Sequence, residues 1–423
     1  MRFFTRLRAS SALWAAPIAL ALPVSYYIGG QGEPPKNNYG YAPTIVSYPL
    51  AFSVSFAYAV VSALSVWESG RLRSERVWEL APFRSKYRVA AHALTPVILL
   101  SWLMLTIPVS VALIRAGVIP DGVSLLPLGL GLTLCVAHSV IGFGVGLKTP
   151  RAISAPLMAV AVWVLSAFPQ AIEPFWLRHI SGSFAEQLMF GEAASFKILL
   201  PHLLPTGAMA VGVALLWLGS VPLLARLTLS IAVALGGFIS AYHLTNNWGP
   251  TPPLVIGNVA MKCSGQKPRV CMPAVTASSL PQAVRDVDSV LNDLRAVGVS
   301  KMPDLITDRI VDGRYSRSST DQVWRVGLTR AAADDSLRYR VGFAAARFDC
   351  MQPDLATSRA VRLWMALSIG EGAAERQRVA EEVTPFDGQA AVETEVAKIR
   401  KMDPVQQGDW FRSQLVAACV KTN

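Results

Sequence analysis

The residues best suited to chemistry in this chain are five cysteines and five histidines, and the sequence keeps most of them apart. Cys263, Cys271, Cys350 and Cys419 lie in a tail beyond residue 250 that holds no histidine, whereas His92, His138, His179, His202 and His243 all precede it. A Ser-His-Asp set, a Cys-His pair or an H-E-x-x-H helix therefore cannot be assembled within the tail. Zinc there would need all four thiolates, and no two of them have the short C-x2-4-C spacing of a knuckle. An even number of cysteines in one segment fits a disulfide framework in an oxidising compartment, with free structural thiols as a further alternative. Four cysteines allow three pairings. Gly265 and Pro268 can turn the chain between the β-like runs Val259-Ala-Met-Lys-Cys263 and Arg269-Val-Cys-Met272, which favours Cys263–Cys271 and leaves Cys350 with Cys419. Cys135 reads as a small buried apolar residue. Asp334-Asp335 and Glu381-Glu382 are carboxylate neighbours, but adjacent residues on a helix face different ways, so both read as solvated surface. No catalytic, cofactor-binding or metal-ligating residue is assigned, and an enzyme is the reading with least support.

These residues are carried by two kinds of chain. Apolar residues make up 52% of the 423, and the mean hydropathy is +0.39, above that of an ordinary soluble protein. The excess is concentrated in runs at about 12–29, 44–66, 92–114, 124–147, 152–169, 207–224 and 227–243. Each is near the roughly 20 residues needed to cross about 30 Å of hydrocarbon. The expected fold is thus an α-helical polytopic membrane domain of about seven spans over 1–249, followed by a small α+β soluble domain over 250–423. Arg2, Arg6 and Arg8 before the first run imitate a secretory signal, but a second span follows closely and a retained helix is expected. The last two runs are joined only by Ala225-Arg-Leu227, so one long tilted helix is the alternative there.

Charge divides along the same line. The segment before residue 250 has 16 basic and 8 acidic residues and the tail 23 and 20, so most of the net +11 belongs to membrane loops and calls for no nucleic acid. With a cytoplasmic amino terminus, twelve basic residues fall in inner segments and four in outer ones. That bias predicts a membrane protein with its amino terminus inside and its tail extracytoplasmic. No Asp, Glu, Lys or Arg falls within the runs as drawn, which argues against ion-coupled transport. His138, the titratable group well inside a span, reads as an imidazole hydrogen-bonded to a neighbouring helix. Glycines such as Gly142, Gly144 and Gly146 read as packing faces, since with Lys148-Thr149 they do not satisfy the phosphate-loop pattern.

Between the second and third runs, residues 67–88 mix Arg71, Arg73 and Arg76 with Glu68, Glu75 and Glu79 and set Leu72, Val77, Trp78 and Leu80 among them. Such a stretch suits either an interfacial helix resting on membrane lipid or a docking surface for a cytoplasmic partner. Residues 170–206 are long enough for an outer lid with short helices at 184–191 and 194–200, and Asn246–Pro253 reads as a stiff linker. In the tail, Val284, Val287, Val290, Leu291 and Leu294 predict a helix over 280–297 that Gly298 can stop. Strands are expected near 305–307 and 322–326, and helices over 337–349, 357–369, 373–383, 389–402 and 404–420.

The arrangement resembles permease-like membrane proteins of high-GC Gram-positive bacteria, related in layout to ABC-exporter permeases. The residues that carry the resemblance are Trp67-Glu-x-Gly-Arg-Leu-Arg73 with Pro82-x-Arg-Ser-x-x-Arg88, Cys263-Ser-Gly with Pro268-Arg-Val-Cys271, and the terminal helix with Trp410 and Cys419. It implies a permease subunit, as a homodimer or heterodimer, that works with a separate ABC ATPase. The docking loop for that ATPase would be Glu68, Arg71, Arg73, Arg76, Trp78, Glu79 and Leu80. Permeases of that kind have six spans with both ends inside, against the seven and the outside tail expected here. A non-transporting anchor that presents a ligand- or partner-binding outer domain is the alternative.

Overall fold

The computed structural model describes residues 8, 10–77, 85–218, 221–382 and 386–420. Among them, seven helices are long and apolar enough to cross a membrane. They are α1 (Ser11–Ile28), α2 (Ala42–Ser74), α3 (Lys86–Ala116), α4 (Leu126–Gly146), α5 (Arg151–Ala167), α7 (Phe196–Leu215) and α8 (Leu223–Thr245), with the short α6 (Trp176–Ile180) between α5 and α7. Apart from one polar side of α2, their apolar residues run all the way round, as lipid on one side and protein on the other require. α2 is the axis: it packs on α3, α4 and α5, and its Val46, Leu50, Val54, Ala57 and Val61 lie in the bundle core.

The last two spans are separate helices, one ending at Leu215 and the next beginning at Leu223, so the expected join at 225–227 lies inside the second. They form an antiparallel hairpin in which the Ser230 hydroxyl donates to the Gly212 carbonyl at 2.7 Å. α7 also begins eleven residues before the expected 207, because Pro201 and Pro205 sit inside it. In a bundle, neighbouring helices tolerate such prolines, which in water would signal an end. The expected helix at 184–191 is absent: that stretch has no regular secondary structure, with Phe184, Leu188 and Phe190 buried and the Leu188 N–H donating to the Ser47 hydroxyl at 3.0 Å. Asn246–Pro253 is not a free spacer. Arg178 donates to the Pro250 carbonyl at 2.6 Å, and β1 (Glu192–Ala193) pairs antiparallel with β2 (Val255–Ile256). The first compact unit therefore ends at Ile256, past the expected boundary at 249.

The second unit, from Gly257, is built on a mixed sheet of β3 (Met261–Ser264), β4 (Arg269–Pro273), β5 (Leu305–Asp308) and β6 (Val323–Val326), in that order. β3 and β4 form the expected hairpin, with Cys263 opposite Cys271 and the two joined as a disulfide. The chain then crosses through α9 (Leu280–Ala296) to lay β5 parallel to β4, and β6 parallel to β5. Val287, Val290, Leu291 and Leu294 of α9 are fully buried against this sheet, each contributing roughly 2 kcal/mol of transfer free energy. Gly298 stops α9 at φ +83°, and a Cβ on Gly408 would lie 2.2 Å from its carbonyl oxygen, so the two glycines let the last helix dock there. After α10 (Leu328–Ala333), which the sequence pattern did not suggest, come α11 (Leu337–Ala345), α12 (Leu355–Ser368), α13 (Gly372–Ala380), α14 (Gln389–Ile399) and α15 (Pro404–Val420). Buried Trp364 of α12 donates its indole N–H to Gln407 of α15 at 3.1 Å. The Cys350–Cys419 disulfide closes the same side, beside a bond from Asp354 N–H to the Ala418 carbonyl.

Candidate functional site

A polar face runs the length of α2 through an otherwise apolar bundle. Thr44 and Ser47, and after a gap of two turns Ser55, Tyr58, Ser62, Ser65 and Ser69 at three- and four-residue intervals, share one side of the helix and are all buried. α4 lies against this side and runs in the same direction. A Cβ built on Gly142 would be 2.4 Å from the Ser62 carbonyl oxygen, and one on Gly146 would be 2.3 Å from that of Val66. At both positions only a hydrogen fits unless the helices move apart. Between Gly131 and Gly142, His138 lays its ring against Tyr58, with centroids 4.8 Å apart.

Several of these polar atoms have no partner. Ser47 and Ser69 turn their hydroxyls back to carbonyls of their own helix, both at 3.1 Å. Thr44 Oγ1, Ser62 Oγ, Ser65 Oγ and both ring nitrogens of His138 are buried without one. The imidazole expected to be hydrogen-bonded to a neighbouring helix is thus held by stacking alone. None of these atoms has a partner within the chain, and leaving such an atom without any partner would cost about 1–3 kcal/mol.

Towards the end of the bundle where α2 begins, the Tyr58 hydroxyl donates to the Gly182 carbonyl at 3.3 Å. Gly182 has φ +81°, and a Cβ there would be 3.4 Å from Thr206 Oγ1 and 3.8 Å from the carbonyl oxygen of His202. His202, drawn from the sequence as a loop residue, lies on α7 with both ring nitrogens buried and unpartnered. Its ring meets the edge of His179 at 6.0 Å, and His179 Nε2 is bonded to the Gly249 carbonyl at 2.9 Å. Burial holds the His179 imidazole below its usual pKa, partly offset by that bond.

The other end of α2 carries the residues expected to dock an ATPase, and the structure separates them. Glu68 is completely buried and accepts from Ser11 N–H at 2.6 Å, Ser11 Oγ at 2.7 Å and Ser10 Oγ at 3.3 Å. Arg71 pairs with its second oxygen at 2.7 Å. Glu68 is therefore not a surface contact but the tie that fixes the start of α1 to α2, and Arg71 supports it. The neighbouring motif residues are engaged in the same junction: Arg151 stacks over Trp67 at 5.0 Å, and a Cβ on Gly70 would lie 2.6 Å from that of Arg151. Arg73 and Arg76 are exposed, while Trp78, Glu79 and Leu80 lie outside the described residues.

In the tail, one carboxylate of each pair picked out by sequence is ion-paired: Asp334 with Arg330 and Arg340, Glu382 with Arg359 and Arg378. Two others were missed. Asp308 ends β5 fully buried, accepting from Ile310 N–H at 3.1 Å and Thr329 N–H at 2.7 Å, and burial pushes its pKa up against those bonds. Asp312, also fully buried, holds Arg317 at 2.6 Å and Arg325 at 3.2 Å. Asp308 is the last residue of its strand and Asp312 the last of the turn that follows, and neither position has a local pattern that marks it. Both read as fold-determining, because every oxygen is committed to the chain itself. Among the described residues, no group of three or more His, Cys, Asp or Glu could hold a metal ion. No protein-family model, curated protein or solved structure matches this chain.

Proposed function

We propose that the chain is the membrane-spanning, permease-like subunit of an ABC-type exporter in a bacterial plasma membrane, working with a separate ATPase. The observation that carries this reading is the buried polar face of α2, apposed to His138 and close to His202, with its orphaned hydroxyls and imidazoles. Polar groups inside a membrane bundle are costly and mark paths for polar species, and an anchor alone would need none. Acidic and basic side chains sit at the helix ends, which leaves no carboxylate or ammonium at depth to hold a coupling ion. ATP hydrolysed on a cytoplasmic subunit is then the fitting energy source.

The twelve-to-four distribution of basic residues supports an inner amino terminus. The two disulfides support an extracytoplasmic tail. On the inner side, exposed Arg73 and Arg76 would orient the ATPase, and Trp78, Glu79 and Leu80 would complete the contact. Affinity purification of the tagged chain from native membranes tests this. The expected result is recovery of a nucleotide-binding protein with the wild type and its loss with Arg73→Glu/Arg76→Glu at unchanged abundance. Repeated recovery of none favours the second reading, a non-transporting anchor, which draws on the compact, doubly stapled tail with a core of its own.

A further inference from the structure

Two imidazoles stand inside the bundle with all four ring nitrogens unpartnered. A neutral imidazole offers one donor and one acceptor, and leucine or phenylalanine would fill the same space without the cost of burying them. The groups near them form a series from one end of the bundle to the other. At one end His179 touches His202 edge to face. The backbone of Gly182 links the His202 turn to the Tyr58 hydroxyl, and Tyr58 stacks on His138. One turn beyond His138, Gly142 presses on Ser62. Ser65 follows one turn later on α2, and Glu68 with its serine cluster closes the series at the far end.

We propose that this series, bridged by single waters at the orphaned atoms, is a path for protons across the bundle. The packing selects the species. Where Gly142 and Gly146 bring α4 onto the α2 backbone there is no room for a methyl group, so no solute passes in this conformation. A proton needs no bore, only donors and acceptors within reach of one another or of one water. Each imidazole takes a proton on one ring nitrogen and releases the one on the other, so one proton advances, neither ring keeps a charge, and a ring turn restores the starting tautomer. Tyr58 and the serines pass the proton between rings through hydroxyl and water. The inference rests on the reading of this seam as a passage and adds that it conducts protons, an ion that needs no carboxylate at membrane depth.

The test is proton flux into liposomes that contain the purified full-length chain and a trapped pH dye, driven by a potassium diffusion potential with valinomycin. Wild type is expected to exceed protein-free vesicles, and His138→Gln, His202→Gln and Tyr58→Phe each to fall to their rate. Glutamine keeps hydrogen bonding to water but cannot relay a proton, and Tyr58→Phe keeps the stack, so at least one variant retains the packing. Wild-type flux equal to that of protein-free vesicles, or flux unchanged in the folded variants, overturns the proposal. ATPase recovery is scored separately: a chain that recruits an ATPase but passes no protons loses this inference alone, and one that passes protons without an ATPase keeps it while the exporter reading falls.

Discussion

Gly142 has no room for a side chain, because its would-be Cβ lies 2.4 Å from the Ser62 carbonyl oxygen. Gly142→Leu is therefore expected to force α2 and α4 apart and cost about 3 kcal/mol or more, the upper range of overpacking. Gly129→Ala on the same helix, which meets nothing within 4 Å, is expected to be neutral. Thermal melting in detergent followed by size exclusion compares them, and equal melting would mean that the close approach is not formed. In the tail, Asp308 gives a pH dependence with a definite sign. Its folded pKa is raised by burial, so the folded state binds the proton more tightly than the unfolded one. Its contribution is complete below the unfolded pKa and is lost as pH rises through the higher folded value. Asp308→Asn keeps one acceptor oxygen for the two N–H groups of Ile310 and Thr329 and removes the titration, so it is expected to lower stability overall and to flatten that gain towards acid when unfolding of residues 257–423 is followed by denaturant between pH 3 and about 7, a window around the ordinary carboxylate range. An unchanged slope contradicts the assignment. Neither Asp308 nor Asp312 could be singled out from sequence, since nothing local says that the strand ending at 308 lies parallel between two others.

At the scale of elements, the helices of the bundle were legible wherever an apolar run met charged flanks, as at Arg8 to Ser11 and Lys148 to Arg151. The start of α7 was not, because its prolines carry a meaning in water that a packed bundle cancels. Apart from α10, the tail helices were legible from periodicity, and the hairpin from Gly265 and Pro268 flanked by cysteines. Both expected disulfides are present. Cys350→Ser/Cys419→Ser, which opens a separation of 69 residues, is expected to destabilise the tail by about 4 kcal/mol, and Cys263→Ser/Cys271→Ser by under about 3. Denaturation of residues 257–423 checks both, and the reverse order would show that strain or residual structure outweighs loop entropy. Residues 67–88 illustrate a different limit. Their charge pattern was visible, but burial splits it: Glu68→Ala is expected to free the start of α1 and expose it to protease in detergent, whereas Arg73→Ala is expected to leave the proteolysis pattern unchanged. Similar cleavage of both variants would remove the tie.

At the scale of the molecule, a unit with seven helices long and apolar enough to span a membrane precedes a disulfide-stapled unit, and the proposed seven crossings, an odd number, would put the two ends of the first unit on opposite faces. The transport reading, the ATPase contact on Arg73 and Arg76, and the oxidising surroundings of the tail all depend on that parity. The most direct measurement is labelling of single cysteines by a membrane-impermeant maleimide in intact cells, with Cys135→Ser as background. Ser74→Cys and Ser300→Cys are both at exposed positions. Labelling of Ser300→Cys in intact cells, and of Ser74→Cys only after permeabilisation, is the predicted result, whereas labelling of both from the same side would contradict it.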